Sequence, residues 1–182
     1  LRQELRHLMD VVSDNERIWR HFTEIERILF RTRQLDVLVE ELLCEIKARF
    51  QPDFLVLFLN HPEILEHFFP ELSRKNEQLA ENTWIIAVPQ AAGCMLCSES
   101  CKPSFLDESA VQEFLPLTPN GVAGCIRSGL CIPLCIHDMI FGGLFLGSED
   151  RQRYQPDAGT DLLEPLGVKI ALCMENCLTF ER

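Results

Sequence analysis

The chain is 182 residues long, enough for one domain with an appended helix. With 47% hydrophobic and 25% charged residues it has the composition of a soluble globular protein rather than a disordered one. Lysine and arginine number 17 against 28 aspartates and glutamates; the net charge of -11 repels phosphate and argues against nucleic acid or an anionic membrane as the main partner.

The first element expected is one long helix over Arg2 to Arg33, a stretch free of proline and glycine. Leu1, Leu5, Leu8 and Val12 form one coiled-coil-like seam, and Ile18, Phe22, Ile25 and Leu29 a second. Ser13 and Glu16 stand at capping-box spacing between them, so the helix either restarts there or runs through with a shifted seam. Such a seam needs a cover, and a second copy of the chain is the simplest. Residues 1–33 are therefore expected to be a dimerisation helix, and 34–182 the domain proper. Asp36 is expected to cap a second helix with the stripe Leu38, Leu42, Ile46 and Phe50, stopped by Gln51-Pro52-Asp53. Phe54 to Leu59 reads as a buried central strand ended by Asn60-His61-Pro62. At six residues it is the longest apolar run, far short of the ~20 a membrane helix needs.

Glu63 to Phe69 is expected as a short helix closed by Pro70, and Thr83 to Val88 as a strand ended by Pro89; the polar stretch between them is weakly determined. Gln90 to Pro103 reads as a loop of small residues and cysteines, Asp107 to Leu115 as a short helix, and Pro116 to Gly121 as a turn cluster. Ile126 to Ile136 and Met139 to Leu146 form a hairpin about His137-Asp138, with Pro133 signalling a bulge or an edge. After a loop over 147–155, a final helix from about Thr160 to Phe180 repeats Leu163, Leu166, Ile170, Cys173, Cys177 and Phe180 at three-four spacing. No crossover recurs regularly, so the fold class expected is α+β: an antiparallel sheet with flanking terminal helices.

That element order resembles a GAF domain. The carboxy-terminal half carries the closer likeness: Ile126-Arg127-Ser128, Ile132-Pro133-Leu134, the run Gly143 to Asp150, Arg153-Tyr154-Gln155-Pro156, then Gly159-Thr160-Asp161 and Leu162-Leu163. The run is similar to a bacterial family of GAF-like proteins of unknown function with a long amino-terminal helix. The resemblance implies a PAS-related antiparallel sheet with a small-molecule cavity on one face and dimerising helices on the other. It also implies sensing or regulation rather than turnover. It does not extend to cyclic nucleotide, since Gly147-Ser148 stand where that branch has Asn-Lys.

Nine cysteines, an odd number, point to a reducing, cytoplasmic setting rather than a secreted disulfide scaffold. Cys94, Cys97 and Cys101 form C-x2-C-x3-C within a loop. Two cysteines at that spacing can turn both sulfurs to one ion, and the third can close a face of a tetrahedron or a cubane. Cys125 is the first choice of fourth ligand; Cys131, Cys135 and His137 follow. Zinc and an iron–sulfur cluster are equally compatible with the spacing, and redox-active thiols or plain packing are the alternatives. Cys44, Cys131, Cys135, Cys173 and Cys177 are expected as core filler.

His7, His21, His61 and His67 are scattered, and no serine-hydrolase elbow, phosphate loop or H-E-x-x-H is present. Arg127 is expected to pair with an acid, the alternative being an anionic ligand. The function expected is a non-enzymatic, dimeric regulatory domain that binds a small ligand or a cysteine-held metal. Two alternatives stand beside it. One is a thiol-dependent reductase of the kind, found among GAF-fold proteins, that acts on free methionine sulfoxide. The other is a structural dimerisation module.

Overall fold

A computed structural model describes residues 2–60, 78–80, 82–88, 101–114, 125–137, 139–155 and 161–180. Helix α1 spans Arg2–Arg31 and runs unbroken through Ser13 and Glu16. It turns back over Thr32, whose hydroxyl shares the Glu41 Oε2 acceptor with Arg31 at 2.9 and 3.0 Å. Helix α2, Leu35–Phe50, begins one residue ahead of the expected cap. Gln34 is its N-cap and makes no side-chain bond; Asp36 sits inside the first turn, where its charge suits the positive end of the helix. Gln51 closes the helix in the left-handed region, φ 46°, and donates its N–H to Lys47 O at 3.0 Å.

Six strands form one sheet in the order β2-β3-β1-β6-β5-β4, with β1 Phe54–Leu59, β2 Gln78–Ala80, β3 Thr83–Ala87, β4 Ser104–Leu106, β5 Ser128–Ile136 and β6 Met139–Ser148. The ladders are antiparallel except β1/β3, which is parallel. Helix α3, Glu108–Phe114, follows β4, and α4, Leu163–Phe180, ends the chain.

The six-residue run of β1 is buried on both faces, and alternation divides it. Leu55, Leu57 and Leu59 join Ile85, Ile132, Leu134 and Leu144 under α1, α2 and α4. Phe54, Val56 and Phe58 join Trp84, Ile86, Val111 and Phe145 on the opposite face. Phe54 stacks on Trp84 at 4.6 Å between ring centres and meets Phe145 edge-on at 6.1 Å. Pro133 satisfies both of its sequence signals. Among the described residues β4 pairs β5 only as far as Cys131, so Pro133 has no ladder partner on that side, and the register shifts just beyond it, between Leu134 and Cys135.

The second seam of α1, apart from Ile18, and the seam of α4 find cover within the chain, whereas the side chains of the first seam, Leu1, Leu5, Leu8 and Val12, lie outside those described. Phe22, Ile25 and Leu29 of α1, and Leu166, Ile170, Cys173 and Cys177 of α4, lie in the core shared with α2 and the sheet. The latter half of α1 is thus part of the same packed unit as 34–182. Ile18, by contrast, is 38% exposed, and Cys44, expected as filler, is exposed because it faces away from the sheet on α2. The short helix over 63–69 and the turn cluster over 116–121 lie outside the described residues.

Candidate functional site

Cys101 ends the cysteine-rich loop in the left-handed region, φ 53°, three residues before β4. Its sulfur is bonded to Cys135 near the end of β5, with Cα atoms 6.1 Å apart. The bond ties the entrance of a three-residue edge strand to the bulge of the long central hairpin. Of the four expected metal ligands, Cys94 and Cys97 lie outside the described residues, and Cys125 is an exposed thiol three residues before β5. The structure joins Cys101 to a residue ranked behind Cys125 as its partner. No group of three His, Cys, Asp or Glu side chains converges among the described residues. A thiolate, not a disulfide sulfur, ligates metal, so Cys101 could serve zinc or iron only after reduction. Cys173 is buried in the core, and burial pushes its thiol pKa up, away from nucleophilic character.

A second feature has no counterpart in the cysteine motif. A half-open cleft of about 530 Å3 lies at the corner of the sheet where β4, the start of α3, the start of β5 and the turn after β6 meet. Phe105, Leu106 and Tyr154 supply its apolar walls. Asp107 and Glu108 come from the start of α3, Arg127 and Ser128 from the start of β5, and Arg151 from the turn. Most polar groups here are engaged. Asp107 Oδ1 accepts the Ala110 N–H at 2.9 Å, and Arg151 pairs with Glu108 at 2.6 Å. The Ser128 hydroxyl donates to Asp150 O at 2.6 Å.

Two further donors lie here. Arg127 is exposed, and its side chain has no ion-pair partner among the described residues, against the expected structural pair. Its backbone N–H donates to Ser148 O at 2.8 Å, which fixes the residue at the cleft rim. The Tyr154 hydroxyl is buried, and the groups that act on it are Arg153 and Asp53. Burial pushes its pKa up to about 12, against the opposing pull of Arg153, whose guanidinium lies over the ring at 5.5 Å. The phenol thus stays a donor throughout the physiological range.

The neighbouring corner is organised around Asp53. Its Oδ2 accepts the Ser148 hydroxyl at 2.6 Å and the Glu149 N–H at 2.9 Å. Lys47 Nζ donates to Pro52 O at 2.7 Å, and Arg153 donates to Phe50 O. Burial alone would raise the Asp53 pKa. The Ser148 and Glu149 hydrogen bonds, with the Arg153 and Lys47 charges, outweigh it and hold the carboxyl below its ordinary range.

Sequence reasoning found Arg127 but not Tyr154, Glu108 or Arg151 as its neighbours. The Tyr154-Gln155-Pro156 turn carried the only signal, and nothing local placed it against β4. His137 is exposed at the hairpin turn with φ 49°, while His61 and His67 lie outside the described residues.

A family model described as "Protein of unknown function, DUF484" matches residues 1–178. No curated protein matches the chain in sequence. Among solved structures it is similar to the GAF domain of an Acinetobacter phosphoenolpyruvate-protein phosphotransferase, at 12% identity and TM-score 0.63, over 88% of this chain and 94% of that one. It is also similar to a free methionine-R-sulfoxide reductase from Neisseria meningitidis in complex with its substrate, at 16% identity and TM-score 0.59, over 87% and 89%. A third likeness is the phycoerythrobilin-bound GAF domain of a cyanobacterial phytochrome, at 12% identity and TM-score 0.58, over 92% and 100%. The fold is therefore GAF-like, as the resemblance implied.

Proposed function

Since the chain belongs to the DUF484 family of proteins of unknown function, and its fold is GAF-like, we propose that it is a non-enzymatic regulatory domain. In this reading a small ligand binds beside the sheet, and its presence is passed to α1 and α4. One observation carries the reading. Gly167 of α4 lies so close to β5 that a Cβ there would stand 2.5 Å from Pro133 O. Helix and strand approach to backbone contact there, with the Ile132 Cγ2 methyl 3.0 Å from the same position. Strand β5 also holds Ser128 of the cleft and Cys135 of the disulfide, so both features sit on the element that touches α4.

The output surface in this proposal is the outer side of α1 and α4. Trp19 and Phe30 on α1 are 58% and 71% exposed, and Val168 and Leu172 on α4 are 41% and 43% exposed. Glu26 and Lys169 join the two helices at 2.5 Å. A homodimer through this face would cover an apolar surface that the core leaves bare. No described helix is long and apolar enough to cross a membrane.

The test is hydrogen exchange on the full chain with and without bound small molecules, beside light scattering for oligomeric state. Protection changing in α4 and α1 on binding supports regulation. Binding that leaves both helices unchanged overturns it.

The reductase reading is favoured by the Cys101–Cys135 disulfide together with the likeness to the Neisseria reductase. Turnover of free methionine sulfoxide with a dithiol, lost in Cys101→Ser, would replace the regulatory proposal. A metal held by Cys94, Cys97, Cys101 and Cys125 remains part of the proposal. Zinc or iron retained by anaerobically purified, reduced protein, and lost in the serine variants, would support it.

A further inference from the structure

The Cys101–Cys135 bond joins two sulfurs of unequal access: Cys101 is half-buried, whereas Cys135 is buried in β5. Cys101 also holds φ at 53°, the left-handed region that disfavours a residue with a Cβ. Three residues on, β4 begins, and α3 follows it directly. Among the described residues this β4–α3 segment is lightly held. Three ladder pairs join it to β5, from Ser104↔Cys131 to Leu106↔Gly129. The exposed Arg151–Glu108 pair joins it to the turn after β6. Its anchor is Val111 of α3, fully buried. A Cβ on Gly129 would stand 3.3 Å from the Val111 Cγ2 methyl and 2.5 Å from the Phe145 ring. Cys131, opposite Ser104 in the ladder, is fully buried in the same core as Val111 and Phe145.

We propose that Cys101–Cys135 is an exchangeable latch: a low-molecular-weight thiol opens it at Cys101, and opening frees β4 and α3 from the sheet. Access decides the point of attack. An incoming thiolate bonds to Cys101 Sγ. The bond to Cys135 breaks, and its electron pair leaves on Cys135 Sγ, which takes a proton. A second thiolate attacks the outer sulfur of the mixed disulfide and releases Cys101 as a thiolate. Two small thiols become one small disulfide, and the protein disulfide becomes two thiols. The reverse sequence, run by the small disulfide, closes the latch. Once free, Cys101 can leave the left-handed region, which favours the open form. The latch goes beyond the regulatory reading and does not depend on it, since neither a bound ligand nor methionine sulfoxide takes part.

The test uses glutathione as the thiol and the other cysteines of the full chain as reporters. The protein is equilibrated in mixtures of reduced and oxidised glutathione, pulse-alkylated, and mapped by peptide mass. Cys44 and Cys125 are exposed and report the reagent in every state. Cys173 and Cys177 are buried on the helix side of the sheet and report global unfolding. Excess reduced glutathione is expected to open the bond, and oxidised glutathione to restore it. Opening is expected to raise the alkylation rate of Cys131 at least tenfold and to leave Cys173 and Cys177 unchanged. In the Cys101→Ser/Cys135→Ser variant, Cys131 is expected to react at the opened rate whatever the glutathione mixture. In Cys135→Ser a glutathione adduct is expected on Cys101.

A bond that resists excess glutathione and yields only to dithiothreitol would be a structural cross-link and would overturn the proposal. So would a Cys131 rate indifferent to opening, or Cys131, Cys173 and Cys177 becoming reactive together. So would a double variant whose Cys131 still follows the glutathione mixture, or a Cys135→Ser protein with no adduct on Cys101. None of these results bears on whether a bound small molecule alters α1 and α4, so the latch and the regulatory reading fail separately.

Discussion

Ser148 stands between two corners of the sheet that handle polar groups in opposite ways. On one side its hydroxyl donates to Asp53, whose carboxylate also takes the Glu149 N–H, with Lys47 and Arg153 fastened to nearby carbonyls. On the other side its carbonyl positions Arg127 at the cleft rim, where the exposed side chain has no ion-pair partner among the described residues. Buried polar groups are matched in the great majority of native contacts, because each orphan costs about 1–3 kcal/mol. A matched cluster is explained by the stability it provides. The exposed Arg127 side chain takes no part in such matching among the described residues.

The largest effect expected bears on the cleft corner. Reducing the Cys101–Cys135 bond, or replacing both residues with serine, removes a cross-link that closes a loop of sequence separation 34. Urea unfolding is expected to show a loss of about 2–4 kcal/mol. Hydrogen exchange should locate the loosening in β4 and α3 and leave the Asp53 corner protected; uniform loosening would mean that the two corners are one cooperative unit.

Next comes Asp53→Ala, which strands the buried Ser148 hydroxyl and the Glu149 N–H and is expected to cost about 1–3 kcal/mol. The same residue sets an acid dependence. Its pKa is lower in the folded protein than the ordinary 3.8, so its contribution is present above that value and fades as pH falls through the folded pKa. The alanine variant should lack that part of the acid slope in a stability-versus-pH series.

Tyr154→Phe deletes a buried hydroxyl beside Arg153 and is expected to cost about 0.5–1.5 kcal/mol. Its pH signature lies at the other extreme. The folded pKa of about 12 exceeds the ordinary 10.0, so wild-type stability falls as pH rises between those values, and the phenylalanine variant should be spared that fall. Smallest of all, Arg127→Gln is expected to shift the melting free energy within about 0.5 kcal/mol, as an exposed residue without an ion-pair partner should.

Much of this architecture is legible in the chain itself. Six consecutive apolar residues bracketed by turn signals are short for a helix and fit a strand buried on both faces, and Phe54 to Leu59 is one. Pro133 marks its own edge position, and the β5–β6 hairpin follows from two apolar runs around a short turn. Strands β2 and β4 are not legible, because three residues carry no readable period; they exist through pairing with β3 and β5. The coiled-coil spacing of α1 and α4 reports correctly that one face must be covered but not by what, since seams for an intrachain neighbour and for a second copy have the same period. The cleft is the least legible part. Leu106, Arg127 and Tyr154 are far apart in sequence and come together only through strand order. The cysteine spacing drew attention to chemistry at Cys101, while Cys135, its partner, lay in a strand where packing is the simplest role.

The placement of β1 has a consequence for how the chain comes into being. Its two neighbours are β3 and, far later in the sequence, β6, with Phe54 opposite Gly147. At synthesis rates of about 5–20 residues per second, the partner for that second edge emerges roughly five to twenty seconds after the strand itself. During that interval the most apolar segment of the protein has an open ladder of N–H and C=O groups, a template for any other nascent strand. Folding must therefore wait for the carboxy-terminal hairpin, and the protein's yield in the cell should depend on whatever shields β1 until that hairpin is made.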